Sequence, residues 1–160
     1  MSTENTFTID TDEIFELVKE RSALKAEVVG DIDKFAITTD HKNWYEGVLE
    51  NAAAKLFKLL SSDAQGIDDA YDFDVTTDMN INIIVTQPTY WDENMLTPFL
   101  RLMIEYLVNH VLMDWWKMRN LPDEQLKAKA DLRETEIELS DSKSMRTTRP
   151  RITQPPLFGI

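Results

Sequence analysis

The sequence predicts a mainly α-helical fold: a bundle of three to four helices with a short β-hairpin or strand insertion and an extended C-terminal arm. Three observations lead there. Apolar residues recur at helical spacing through residues 12–29, 41–60 and 93–119. Residues 73–86 alternate with period two instead. Residues 140–160 hold three of the six prolines and four cations, a composition that suits an extended segment better than either regular element.

A first helix is expected from Asp12 to about Val29. Asp10 stands where an N-cap carboxylate accepts from unpaired backbone N–H groups, and Glu13 follows three residues on, as in a capping box. Ile14, Leu17, Val18, Leu24 and Val28 fall on one face, and Gly30 is a stop signal. Residues 31–38 read as a loop that Ile32, Phe35 and Ile37 pin to the core. A second helix is expected from His41 to about Leu60, with Thr39 or Asp40 as its cap. Trp44, Val48, Ala52, Leu56 and Leu59 follow its period, and Ala52, Ala53 and Ala54 offer a small surface that another helix can approach closely. Ser61 to Asp72 is a polar, acidic loop punctuated by Gly66.

In the strand region, Phe73 and Val75 alternate with acidic residues, and Met79, Ile81 and Ile83 alternate with Asn80 and Asn82, until Pro88 closes the run. That is enough for one or two strands and too few for a closed sheet. A lone hairpin is marginal in water, so these strands should pack on helices or pair with another chain.

A third helix is expected from Asp92 or Glu93 to about Arg119, capped by Asp92, with Pro98 tolerated in its early turns. Leu96, Phe99, Leu100, Met103, Leu107, Val111, Trp115 and Met118 make a wide apolar face, and Leu102, Tyr106, Leu112, Met113 and Trp116 extend it around the helix. Such a helix is either central or shared with a second subunit. Met95 to Met118 is long enough to span a bilayer, but Arg101, Glu105, Asp114 and Lys117 interrupt it. Each charge near a span's centre costs about 2.5–3.5 kcal/mol on insertion, so a buried helix is expected and no membrane partner. A fourth helix starts near Pro122, with Asp123 and Glu124 in its first turn. Its apolar content is thin: Leu126, Ala130, Leu132, Ile137 and Leu139. The expected division is a helical body over 1–139 and an arm over 140–160.

The charge is unevenly placed. The chain carries −12 in all; residues 140–160 carry Lys143, Arg146, Arg149 and Arg151 against Asp141, a net +3, which leaves −15 on the body. Nucleic-acid binding relies on cations that neutralise phosphates, so an acidic body disfavours it. There is no cysteine, which rules out disulfides, thiolate nucleophiles and cysteine metal sites. The polar stretch Met1 to Asp10 has no apolar segment of the kind a secretory signal needs.

The residues that could carry chemistry are few. His41 and His110 lie on different expected helices, and no G-x-S-x-G elbow is present. The run Asp78-x-Asn80-x-Asn82 begins like a calcium loop, but Ile83 stands where glycine is needed and Thr89 where the bidentate Glu belongs. With Asp68, Asp69, Asp72 and Asp74 it reads as a solvated acidic stretch. Four glycines never form a phosphate-binding loop. Trp44, Trp91, Trp115 and Trp116 read as core or interface rather than as base-stacking platforms, given the acidic body. No catalytic, cofactor-binding or metal residues are assigned, and the chain is not expected to be an enzyme.

The arm is the exception. Arg146, Arg149 and Arg151 offer bidentate donors to carboxylates, and Leu157, Phe158 and Ile160 are apolar where a solvated tail is polar. These six residues are the expected partner-binding set.

The order of elements carries a resemblance: a first helix, the Ala-rich stretch Trp44 to Leu60, a short strand region, then a long helix opened by Tyr90-Trp91-Asp92-Glu93-Asn94 and continuing through Tyr106-Leu107-Val108-Asn109 to Trp115-Trp116. Over about residues 10–120 it resembles the head-to-tail adaptor, or connector, proteins of tailed bacteriophages, as in phages of gut Bacteroidetes. The resemblance implies a virion structural protein, assembled in the bacterial host cytoplasm. Its copies would form a homo-oligomeric ring, commonly of about twelve. It would bind the portal protein on one side and tail or further connector proteins on the other. DNA would pass through the lumen without specific binding, which a negative wall suits. The alternative from charge alone is an acidic regulatory or inhibitor protein that binds a basic partner.

Overall fold

The computed structural model describes residues 3–61, 71–75, 80–87, 94 and 96–146. The elements run β1 (Thr3–Asp10), α1 (Thr11–Val29), α2 (Ile32–Phe35), a 3-10 turn (Thr39–His41), α3 (Lys42–Ser61), β2 (Tyr71–Val75), β3 (Asn80–Gln87), α4 (Leu96–Met118) and α5 (Pro122–Arg146). The fold is mainly helical, four long helices with a small strand region.

The local signals that end α1 work as side-chain chemistry dictates. Asp10 is its N-cap and accepts from the Asp12 N–H at 2.9 Å. Gly30 sits at φ +96° beyond the C-terminus and donates its N–H to Ala26 O at 2.9 Å. That backbone conformation costs an L-residue about 1–2 kcal/mol and costs glycine little. At the same end of the bundle, where Val28 lies beside Trp116, Asn120 takes the same role after α4 at φ +56°. Asn120 N–H donates to Lys117 O and Leu121 N–H to Trp116 O, the paired bonds of a Schellman turn. Pro122, which has no N–H to lose, then opens α5.

Helix α4 is the axis of the bundle. From Tyr106 to Leu112 every residue is buried, and α1, α3 and α5 all pack on it. Of the two readings of its all-round apolar surface, the first is realised within one chain: the helix is central. Met118, placed on its apolar face by spacing, is instead half exposed. Helix α5 lies along α4 through a seam of Ala128, Leu132, Thr135 and Leu139. Leu126, Ala130 and Ile137, which spacing alone grouped with them, face outward. Among the described residues no helix is long and apolar enough to cross a membrane.

Helix α3 shows a shift of phase. Its buried positions are Tyr45, Leu49, Ala52, Ala53, Leu56 and Leu60, whereas Trp44, Val48 and Leu59 are half buried. The face is turned by one residue from the expected one. Tyr45 sets it: its hydroxyl donates to Thr11 O at 2.6 Å and its ring packs on Phe15 at 4.7 Å. Burial raises the Tyr45 pKa, so the hydroxyl stays a donor. Ala52 and Ala53 are buried as a close-approach surface requires, and Ala54 is exposed.

Residues 31–38 are a short helix and a returning segment of irregular chain rather than a plain loop. Phe35 and Ile37 are buried, but Ile32 is exposed, because it opens α2 on its outer side. The return is fastened by Ser22, fully buried on α1. Its hydroxyl donates to Lys19 O at 3.0 Å and accepts from Ile37 N–H at 2.9 Å. Removing it strands a buried N–H, which costs about 1–3 kcal/mol. Ser22→Ala is therefore expected to lower stability in urea titration by that amount and to speed hydrogen exchange at the Ile37 amide.

The strands form a three-stranded antiparallel sheet in the order β1-β3-β2. The expected hairpin is β2 and β3, and it gains a third strand from its own N-terminus. Ile83 stands opposite Phe7 and Phe73, and Ile81 opposite Ile9 and Val75. Phe7 and Ile9 are buried, and Phe7 meets Phe99 of α4 at 5.7 Å between ring centroids, which seats β1 on the helices. Tyr90 to Glu93, with the expected cap Asp92, and the loop residues Asp68, Asp69 and Asp78 lie outside the described residues.

Helix α5 runs on past the expected boundary at residue 139. Residues 140–146 are the last turns of α5, so that part of 140–160 is helical, and Arg146 is its final residue. Arg149, Arg151, Leu157, Phe158 and Ile160 lie outside the described residues.

Candidate docking surface

Three helices leave a groove on one side of the bundle. Helices α1 and α5 flank it, with α4 between them. Leu24 and Val28 line one wall, Leu112 and Trp116 the floor, and Ala128 and Lys127 the other wall. The cavity measures about 310 Å³. Leu24 is 58% exposed and Val28 82% exposed, values that place both on the surface although they are large and apolar. The small side chain of Ala128 at the α4–α5 seam leaves the floor open.

This corrects the expected face of α1. Its buried residues are Thr11, Ile14, Phe15, Val18, Ser22 and Ala26, of which Ile14, Val18, Ser22 and Ala26 are each four apart. At 100° per residue, Arg21 and Lys25 lie about a quarter to a third of a turn round from Ser22 and Ala26, and Leu24 and Val28 lie nearer the opposite side. The sequence signal was available in Ser22 and Ala26: small residues that can be buried against a returning chain, with Leu24 and Val28 out of phase with them.

Ion pairs hold the walls. Arg21 binds Glu105 of α4 through two bonds, at 2.6 and 3.0 Å. The hydrogen bond to Glu105 raises the Arg21 pKa further, so the guanidinium stays charged. Lys25 reaches Glu124 of α5 at 3.4 Å. Both pairs are partly exposed, and each is worth about 1 kcal/mol or less.

A second depression of about 260 Å³ continues the groove along α4 and α5 and shares Arg21, Asn109 and Asp131 with it. Its charged lining is Glu105, Asp131, Glu134 and Glu138 against Arg21 alone. Asp131, Glu134 and Glu138 come from one face of α5, at spacings of three and four. The surface is thus bipolar, apolar at the N-terminal half of α5 and acidic further along.

The remaining polar groups hold the fold. His41 Nδ1 accepts from Thr38 N–H at 3.0 Å, and its ring lies against Trp115 at 4.8 Å between centroids. The backbone donor thus fixes which ring nitrogen accepts. Trp115 and Trp116 are buried and Trp44 is half buried, as core residues; Trp91 lies outside the described residues. Asn109 is buried at the α4–α5 seam, where its amide meets the Thr135 hydroxyl at 3.5 Å. Among the described residues no group of three potential metal ligands converges.

His110 is buried on α4, facing Lys55 of α3, with Asp114 on its own helix. Burial, then Lys55, lowers its pKa. The unfolded chain therefore takes up a proton near pH 6.5 before the folded one does. The stability this residue contributes is complete above that pH and falls below it, at up to about 1.4 kcal/mol per pH unit. In urea titrations between pH 5 and 7.5, His110→Gln should lose this component, so that the gap between the two proteins narrows as pH falls.

No family model, no curated protein and no solved structure matches the chain.

Proposed function

We propose that the chain is a virion structural protein, a ring-forming head-to-tail adaptor that joins a portal to a tail, lines the DNA channel and docks through its C-terminal arm. One observation carries this reading: the bipolar surface on α1, α4 and α5, an apolar groove continuous with an acidic trough. It suits a segment with cations followed by large apolar residues, and the chain ends in such a segment, with Arg149 and Arg151 before Leu157, Phe158 and Ile160. A body that offers such a receptor and an arm that fits it is a unit suited to assembly. The element order that resembles head-to-tail adaptors supports the same reading, and the −12 net charge suits a channel wall past which DNA slides.

The test is a chain cut after Arg146, which leaves α5 whole. It is expected to keep the circular dichroism of the full chain and to fail to join portal and tail into connectors. Normal connector assembly by the cut chain would contradict the reading.

The acidic trough itself favours one second reading, an acidic regulator that binds a basic partner. That protein would bind its partner with affinity that falls steeply with salt, and it would add no mass to a portal in solution.

A further inference from the structure

We propose that before assembly the groove and trough are occupied by the chain's own C-terminal arm, folded back along α5, with Arg149 and Arg151 on the trough and Phe158 and Ile160 on the apolar groove. This deepens the docking role of the arm given above and rests on it.

Order, length and charge all fit. Helix α5 ends at Arg146, beyond the acidic end of the surface. A chain that reverses there meets Glu138 and Glu134 first and the Leu24, Val28 and Trp116 groove afterwards. The arm presents its cations first and its apolar end last, in the same order. From Arg146 back to Glu138 is about 12 Å of helix at 1.5 Å per residue, which leaves slack for the reversal. The five residues from Arg146 to Arg151 span at most about 18 Å when extended. From Glu138 to Glu124 is about 21 Å of helix. The seven residues from Arg151 to Phe158, which include Pro155 and Pro156, cover about 22 Å at the 3.1 Å rise of a polyproline segment. The chain's own arm therefore reaches both parts of the surface, and tethering favours it over the arm of a second, dilute copy. The charges match as well: Glu105, Asp131, Glu134 and Glu138 exceed the single Arg21 in the trough by three, and an arginine there finds carboxylates to pair with.

The chain has no cysteine, so a pair of introduced cysteines reports on the contact alone. In the full-length protein, Val28→Cys with Gly159→Cys places one thiol on the groove wall and one between Phe158 and Ile160. Glu50→Cys with Gly159→Cys, the first thiol on the exposed side of α3, is the control. Under mild oxidation of dilute protein, the Val28 pair should close a disulfide within one chain at least tenfold faster than the control. Adding Glu134→Lys and Glu138→Lys should slow it at least threefold. Equal rates for the two pairs would overturn the proposal. So would a disulfide formed mainly between chains, which would give the groove to a second copy's arm. If either occurs while the chain cut after Arg146 still fails to assemble, the adaptor reading stands and only the folded-back arm falls.

Discussion

Trp115→Ala is expected to destabilise the protein by about 5 kcal/mol, the upper end of the range for removing a large buried aromatic residue. Trp115 is fully buried on α4 and collects contacts from three directions. Its indole N–H donates to Phe35 O at 2.7 Å, which fixes the end of α2. Trp44 of α3 packs on its ring at 5.2 Å between centroids. The Arg119 guanidinium lies over the ring at 4.4 Å. Alanine leaves a cavity at the junction of α2, α3 and α4 and strands a buried carbonyl. Domains of this kind have about 5–15 kcal/mol of stability in all, so the variant should be close to unfolding at room temperature. Trp115→Phe separates the two contributions. It keeps most of the packing and loses the hydrogen bond, so a loss of about 1–3 kcal/mol is expected. Urea titration followed by circular dichroism measures both. An alanine variant within 1 kcal/mol of the parent would show that α2 is not fastened through this ring.

Phe99→Ala is expected to cost about 3–5 kcal/mol, with a regional signature. Phe99 is fully buried near the start of α4 and meets Phe7 of β1. Strand β1 borders β3, so the loss of Phe99 loosens the sheet from the helices before it affects the α4–α5 seam. Hydrogen exchange should speed up across 3–10 and 80–87 first, while the amides around Leu132 and Leu139 keep their protection. Uniform acceleration along the chain would mean that sheet and bundle unfold as one unit.

What was legible in the sequence follows physical lines. The ends of α1 were legible because capping is local: an aspartate before the helix and a glycine after it act through bonds within a few residues. The centrality of α4 was legible because few surface helices are apolar all round. The phase of α3 was not, because Trp44 and Tyr45, Val48 and Leu49, and Leu59 and Leu60 offer two adjacent apolar stripes, and a tertiary bond from Tyr45 to Thr11 selects one. Strand β1 was missed because it holds only two inward apolar residues, Phe7 and Ile9, and owes its form to a partner more than seventy residues away. The length of α5 was underread because its apolar content is low. Its alanines, glutamates, lysines and leucines are strong helix formers even so, and the α4 contact carries the helix on. The arm's chemistry was visible in its residues. Its proposed receptor was not, because the groove is lined by residues of α1, α4 and α5 together, a relation between helices that no single stretch records.

The central claim, that this chain assembles onto a portal through its arm, is tested most directly by native mass measurement of a portal ring mixed with the chain. The account predicts that the full chain adds a closed ring of copies to the portal, and that the chain cut after Arg146 adds none while remaining folded. A portal whose mass is unchanged by the full chain, or a cut chain that joins it equally well, would contradict it.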